Sequence, residues 1–462
     1  MQSPYLLGPY RPVDREIEAE LKVLDGAVPH DLAGTYVRNG PNPRHAPRGL
    51  HHWFDGDGML HAARFEDGRI RYRNRYVATA GFEAETTSGE ALWTGLMEST
   101  KGNPQGAPYK DTGNTDVLGW NGELLTLWYV SGAAHRVEPE TLSTLGRHTL
   151  GGEGPRRMSA HAKVDPKTDE LLFFDYGPRP PFMRFGVAKE GELVHETAIE
   201  LPAPRLPHDM AFTENHAVLM DLPVWYRPEA LKARKWMVDF HPDQPARFGV
   251  LPRRGDGAAI RWFEAEPCYV YHVVNAWEED GSVVMIGCRC DDPIGTPRPE
   301  DGPFAQAMAT LRLRAHLYRW RFDLTTGQTH EAPLDDLNAE FPSIAPHVAG
   351  QRSRFSYHMC IPTDASTLLF DGIAKYDLEG GRQRHTFGDG VYGSEVGFAR
   401  REGGHEEDDG YLVSFVHDLA DDQTSQLWVY DAKDIERGPV CRAEVPQRVP
   451  LGFHATFMEA AR

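Results

Sequence analysis

YHVVNAWEEDGSVVMIGCRC, residues 271–290, is the stretch that decides the fold. Two runs rich in β-branched and aromatic residues flank Asp280-Gly281, a dipeptide suited to a tight turn between antiparallel strands. The simplest reading is strand, turn, strand. Cys288 and Cys290 lie two apart, so both thiols point to one face of the second strand. His272 sits in the first run among apolar neighbours. A buried neutral imidazole there needs partners for both ring nitrogens.

The same pattern recurs outward along the chain. GTYVRNG, GRIRYRNRYVAT, GELLTLWYV, DELLFFDY, HAVLMDLPVWY, AHLYRWRFDL, STLLFDGIAKYDL, DGYLVSFVHDL and SQLWVYDA are all short, aromatic or β-branched, and bounded by turn formers. Asp67-Gly68, Asn121-Gly122 and Asp409-Gly410 predict further hairpins. With 45 Gly and 35 Pro the chain has ample turn chemistry. Helical signal is confined to RPEALKARKWM and GPFAQAMATLRLRAH. Many short strands without α/β alternation predict an all-β protein. At 462 residues a propeller is the economical form, because radial repetition hides sheet edges. No internal repeat, linker or low-complexity segment divides the sequence, so residues 1–462 read as one domain. GGHEEDDG (403–410) reads as a solvated loop.

The balance of 49 basic against 68 acidic residues, net −19, argues against nucleic acid or anionic lipid as a partner. It places no constraint on a neutral apolar substrate. Five cysteines, Cys268, Cys288, Cys290, Cys360 and Cys441, form no disulfide framework, which fits a reducing cytoplasm. The N-terminal stretch has no basic region followed by an apolar core, so no signal peptide is expected. No run reaches the ~18 apolar residues of a membrane-spanning helix. Membrane contact, if present, is expected to be peripheral.

Four histidines stand in strand-like segments: His161 in MSAHAKVDP, His208 in LPHDMAFTENH, His272 in YHVVNAWEE and His454 in LGFHATF. The gaps of 47, 64 and 182 residues fit no local metal motif. A lone histidine among 21 is usually a surface or core residue. The apolar surroundings of His208 and His272 raise the metal reading. Four imidazoles with no thiolate would suit iron, zinc, copper or nickel and leave positions open for substrate or dioxygen. HHWFDGDGMLH invites a second metal reading for His51, His52, Asp55 and Asp57. It is read instead as a turn-rich hairpin whose Asp and Gly residues fix a loop.

In combination these motifs resemble the carotenoid cleavage oxygenases. YVRNGPNP (36–43) and HHWFDGDGMLHAARF (51–65) look like that family's opening signature. AHAKVDPKTDELLFFDY, HDMAFTENH, HVVNAWEE, EFPSI, GSEVGF and GFHATF follow in its order, from about residue 9 to residue 460. The resemblance implies a seven-bladed β-propeller with a loop and helix cap over an axial metal site. Blades would average about 66 residues, longer than the ~40–45 of a bare repeat blade. It implies Fe(II) held by His161, His208, His272 and His454, with dioxygen as co-substrate. Glu340 and Glu395 match glutamates that hydrogen-bond the ligand imidazoles, an arrangement that fixes tautomer and ring orientation.

The chain departs from the pattern in three places. A third glutamate is expected at position 129, where LLTLWYV has Tyr129; a slip of register is the alternative. The family's usual arginine after EFP is Ser343. Position 128, a lysine in the stilbene-cleaving branch, is Trp128, which favours a long apolar polyene. Trp128 and Tyr129 are therefore expected to line the substrate tunnel. The function implied is oxidative cleavage of a C=C bond of an apocarotenoid-like polyene to two carbonyl products. The alternatives are a stilbene- or phenylpropenoid-cleaving dioxygenase, a non-oxidative polyene isomerase or binding protein of the same fold, and a propeller binding module without metal. Residues 224–237 and 304–311 read equally as membrane-docking segments or as packed helices.

Overall fold

The Asp280-Gly281 turn forms, with φ of 49° and 71°, both in the left-handed region that a type I′ hairpin demands. It joins Tyr269–Glu279 to Ser282–Cys290, and Ala315–Asp323 and Thr329–Pro333 complete a four-stranded antiparallel sheet. The computed structural model describes residues 2–105, 108–233, 237–421 and 423–460. Asp67-Gly68 and Asn121-Gly122 turn with the same pair of positive φ values, and so does Glu190-Gly191, a turn the sequence reading missed. Asp409-Gly410 is a correction. Its residues lack positive φ. Gly410 opens a strand, and Asp409 Oδ2 instead accepts the His405 and Glu406 N–H groups.

Seven such sheets make a seven-bladed β-propeller. The innermost strands run Ala455–Glu459, Asp116–Trp120, Lys163–Val164, Ala211–Phe212, Tyr269–Glu279, Ala339–Ser343 and Gly397–Arg400, for blades 1 to 7 in turn. The blades share this arrangement without sharing a sequence motif, which is why no repeat was visible. Blade 1 takes strands from both ends of the chain: Gly34–Pro41 pairs with Gly58–Glu66 on one side and with Ala455–Glu459 on the other. That pairing closes the ring. The outer edge of blade 7 is likewise an early strand, Lys22–Gly26 against Cys441–Val445. Apolar side chains fill the spaces between blades. One cluster holds Phe248, Phe263, Met285, Trp320 and Phe322, all buried.

Helices are few. Ala80–Ser88 was not foreseen; Thr79 caps it by accepting the Phe82 N–H. GPFAQAMATLRLRAH is helical only over Pro299–Phe304, a 3₁₀ turn, and Ala305–Thr310; Ala315 already begins a strand. Its Phe304, Met308 and Leu311 are buried with Trp53, Phe341, Phe370 and Phe453. The 304–311 segment therefore packs as part of the cap. In the other candidate, Pro228–Lys232 is helical, Val224 and Tyr226 are buried, and residues 234–236 lie outside the described residues. Among the described residues no helix is long and apolar enough to cross a membrane.

HHWFDGDGMLH is not a hairpin. Trp53–Asp55 is a 3₁₀ turn with a reciprocal cap between His52 and Asp55, and Gly58–Glu66 is the strand after it. Asp55 accepts the N–H groups of His52 and Leu96, both at 2.8 Å, and Asp57 pairs with Lys110 at 2.5 Å. These carboxylates serve as structural acceptors.

Candidate metal centre

Each inner strand delivers one titratable side chain to the propeller axis. Asp116 opens the strand of blade 2. His161 lies two residues before the strand of blade 3 and His208 three before that of blade 4. His272 and Glu340 lie within those of blades 5 and 6, Glu395 precedes that of blade 7, and His454 precedes Ala455 in blade 1. Local irregularities aim several of them. The ladder slips register between Val270 and Val273, the interval that contains His272, again between Val273 and Asn275, and in blade 6 between Glu340 and Ser343. Such bulges re-aim a side chain at a fixed point in a strand. His161 and Phe341 have φ of 67° and 53°, a conformation that costs a non-glycine residue ~1–3 kcal/mol and persists only where surrounding structure enforces it.

The four imidazoles converge. One nitrogen from each of His161, His208, His272 and His454 falls within 4.8 Å of the others, and all four residues are buried. Their ring centroids lie 4.5–5.0 Å apart for the pairs in contact. The Nε2 atoms of His161 and His272 are buried without a hydrogen-bond partner. Leaving such atoms unsatisfied is costly, and a cation among them would satisfy both.

The carboxylates are distributed unequally. Glu340 Oε2 lies 2.5 Å from His272 Nδ1 and also accepts the Phe341 N–H at 2.5 Å. Glu395 Oε1 lies 3.2 Å from His454 Nδ1, while its Oε2 accepts the Ala455 N–H. Asp116 Oδ2 accepts the His161 backbone N–H at 2.9 Å but stands 3.9 Å from its Nδ1. His208 has aromatic neighbours instead: Tyr271 at 5.2 Å and Tyr129 at 6.0 Å between ring centroids. The position at which the family resemblance calls for a third glutamate is thus a buried phenol beside His208.

Burial, reinforced by the neighbouring imidazoles and Lys163, holds His161 and His208 well below the usual histidine range. His272 is held down by burial first and His454 next. All three keep a lone pair available for a metal. His454 is pulled down by burial, but the Glu395 charge and hydrogen bond prevail and raise it. Burial pushes the Glu340 carboxyl up to about 8. A divalent cation on the far side of His272 would draw it back down.

Aromatic rings roof the cluster. Phe341 stacks on His454 at 4.7 Å and 17° and also covers His272 at 4.7 Å. Phe54 sits edge-on to Tyr129 and Phe453, both at 4.8 Å. Trp128 is buried in the same apolar cluster as Leu96 and Tyr129. Below the cluster a cavity of about 570 Å³ runs among the inner strands and reaches His161, His272, His454 and Glu395. Asp116 and Phe341 were missed by sequence reasoning. Asp116 in GNTDVLGW looks like any acidic residue before a strand, and Phe341 looks like core.

Residues 10–459 match the family described as retinal pigment epithelial membrane protein. The carotenoid 9,10(9',10')-cleavage dioxygenase 1 of Arabidopsis thaliana is 34% identical over 98% of this chain and 89% of its own length. Isoeugenol monooxygenase of Pseudomonas nitroreducens is 32% identical over 99% of this chain and 98% of its own. Among solved structures, Pseudomonas brassicacearum lignostilbene dioxygenase superposes with a TM-score of 0.89 at 28% identity, covering 99% of each chain. A cobalt-substituted Synechocystis apocarotenoid oxygenase superposes at 0.86 with 26% identity over 98% of each.

Proposed function

The chain belongs to the carotenoid cleavage oxygenase family, and from that premise we propose that it is an Fe(II)-dependent dioxygenase cleaving a C=C bond of an apocarotenoid-like polyene to two carbonyl products. The observation that carries this reading is the set of four buried, converging imidazoles, two of them with orphaned Nε2 atoms, beneath an aromatic roof. Neutral nitrogen donors without thiolate suit Fe(II). His161, His208, His272 and His454 would hold it, and bound there it would supply the activation of dioxygen.

The remaining work falls to the chain's own side chains. Glu340 and Glu395 fix the tautomer and rotation of His272 and His454. Phe341, Tyr271, Phe54 and Phe453 exclude water and shape an apolar slot. No acid or base is assigned, because an alkene carries no proton that must be removed. Trp128 presents an uncharged buried surface that suits a polyene. The net charge of −19 does not act on such a substrate. A membrane-resident substrate would be met by peripheral contact. Glu340→Gln keeps the shape of the side chain and removes its charge. We expect it to weaken iron binding ~10–100-fold, with a smaller loss for Glu395→Gln, whose hydrogen bond is longer; chelator competition measures both.

A second reading is a stilbene- or phenylpropenoid-cleaving dioxygenase. The lignostilbene dioxygenase structure and the isoeugenol monooxygenase relative favour it. Aerobic incubation of iron-loaded protein with an apocarotenal and a hydroxystilbene together decides between them. Mass spectrometry should find polyene-derived aldehydes alone. Aromatic aldehydes alone would establish the second reading. Neither product, from protein holding one iron, would sink both, and oxygen uptake separates cleavage from isomerisation.

A further inference from the structure

The segment YVRNGPNP supplies no residue to the metal centre described above, yet its Asn39 bonds to segments that bear cluster imidazoles. Asn39 is fully buried. Its backbone N–H donates to the His454 carbonyl at 2.9 Å, and its own carbonyl accepts the Phe453 N–H at 2.9 Å. Its side-chain amide donates to the carbonyls of Gly113 at 2.8 Å and Asp116 at 3.0 Å. The His454 N–H donates to the Thr115 carbonyl, and Asp116 accepts the His161 N–H. One residue thus grips the segment bearing His454 directly and the segment bearing His161 through Asp116. Beside it, the buried Arg38 guanidinium lies against Gly40 and Gly452. A Cβ added at Gly452 would stand 1.5 Å from Arg38 Nη1, so that approach requires glycine.

We propose that Asn39 is a positioning residue of the metal centre, setting His454 and His161 relative to one another and coupling closure of the propeller ring to metal binding. The proposal rests on the metal-centre reading above. The amide is suited to the task because it offers two N–H donors at the end of a short side chain. An aspartate of the same shape offers none and would set a carboxylate against two carbonyl oxygens. The ring-closing ladder between Gly34–Pro41 and Ala455–Glu459 continues past its last pair through Asn39 to His454. Whatever fixes that register also fixes the ligand.

Asn42, in the same motif, supplies the control. It is equally buried, but its side chain bonds the backbone of Val13 and the Tyr76 hydroxyl. Among the described residues none of its hydrogen bonds reaches a segment that carries a cluster imidazole. The test uses the full chain loaded with Co(II), whose visible bands report ligand geometry, with affinity read by competition against a chromophoric chelator. Asn39→Asp should bind Co(II) at least tenfold more weakly than wild type, with shifted bands. Asn42→Ala should lower Tm and leave affinity and bands unchanged.

Amide hydrogen exchange of the wild type covers the case in which Asn39→Asp does not fold. Coupling is reciprocal, so Co(II) should slow exchange at Asn39, Phe453 and His454 and leave Val13 unaffected. Equal affinity and identical bands for wild type and Asn39→Asp would overturn the proposal. So would the absence of metal-dependent protection at those three amides. Wild-type protein that binds no Co(II) at all would instead remove the metal centre itself, and this proposal with it.

Discussion

His272→Ala should yield protein without stoichiometric iron and with turnover reduced roughly a thousandfold or more, about 4 kcal/mol of barrier. His272 is the best-supported member of the cluster. It lies in the longest inner strand, sits within one register slip and just before another, and has Glu340 2.5 Å from its Nδ1. Its removal deletes one nitrogen donor and strands a fully buried carboxyl group. Glu340 can relieve part of that strain by protonating, since burial already holds it up at about 8. The added destabilisation is then ~1–3 kcal/mol, that of a buried polar group without its partner. Metal analysis and urea unfolding of one preparation read both effects. His358→Ala is the comparison: His358 is equally buried but bonds Ser356 and approaches Cys288 away from the cluster. It should lose stability and keep its iron. A full equivalent of iron in His272→Ala would show that the cluster is not the metal centre.

The second large effect concerns acid. Outside the cluster, burial holds His51 and His358 down at about 3 and His52 at about 4; His61 lies well below the usual range for the same reason. Each takes up a proton on unfolding once pH falls below about 6.5. A histidine with a depressed folded pKa therefore contributes nothing adverse above 6.5. It destabilises progressively as pH falls from there toward its folded value. Asp55, raised to about 7 by burial, and Asp111, raised by the same cause, act in the opposite sense. Each buried histidine not offset by such a carboxylate costs about 1.4 kcal/mol per pH unit once pH is below 6.5. Urea midpoints of chelator-treated protein at about pH 7, 6 and 5 should fall steeply. A flat series would show that these histidines are solvated or paired in solution.

The propeller was legible because its signal is local. The longer strands carry their own β-branched and aromatic runs, and three of the tight turns carry Asp-Gly or Asn-Gly, whereas Glu190-Gly191 gave no such signal. Asp409-Gly410 misled because the same dipeptide also serves where a loop enters a strand, and only the path of the chain decides. The four histidines and two glutamates were legible as members of long motifs. Asp116 was not, since its role depends on blade 2 lying beside blade 3, a relation that no neighbouring residues encode. Phe341 was hidden differently: EFPSI shows that an aromatic follows Glu340, but not that its backbone turns left-handed and lays the ring over two imidazoles. Asn39 belonged to a quoted motif whose importance was visible and whose task was not. Its partners lie 74 residues away in Gly113 and, at Phe453 and His454, just before the closing strand.

The closing strand also sets a schedule for biosynthesis. Polypeptides emerge from the ribosome N-terminus first, so Gly34–Pro41 is made early and waits for Ala455–Glu459. His454 lies one residue before that strand and is the last of the four imidazoles to be translated. A nascent or prematurely terminated chain holds at most three of them, with no ring to press them together. The assembled cluster therefore certifies that translation has passed His454, and a metal held there is kept from shorter chains by the order of synthesis itself.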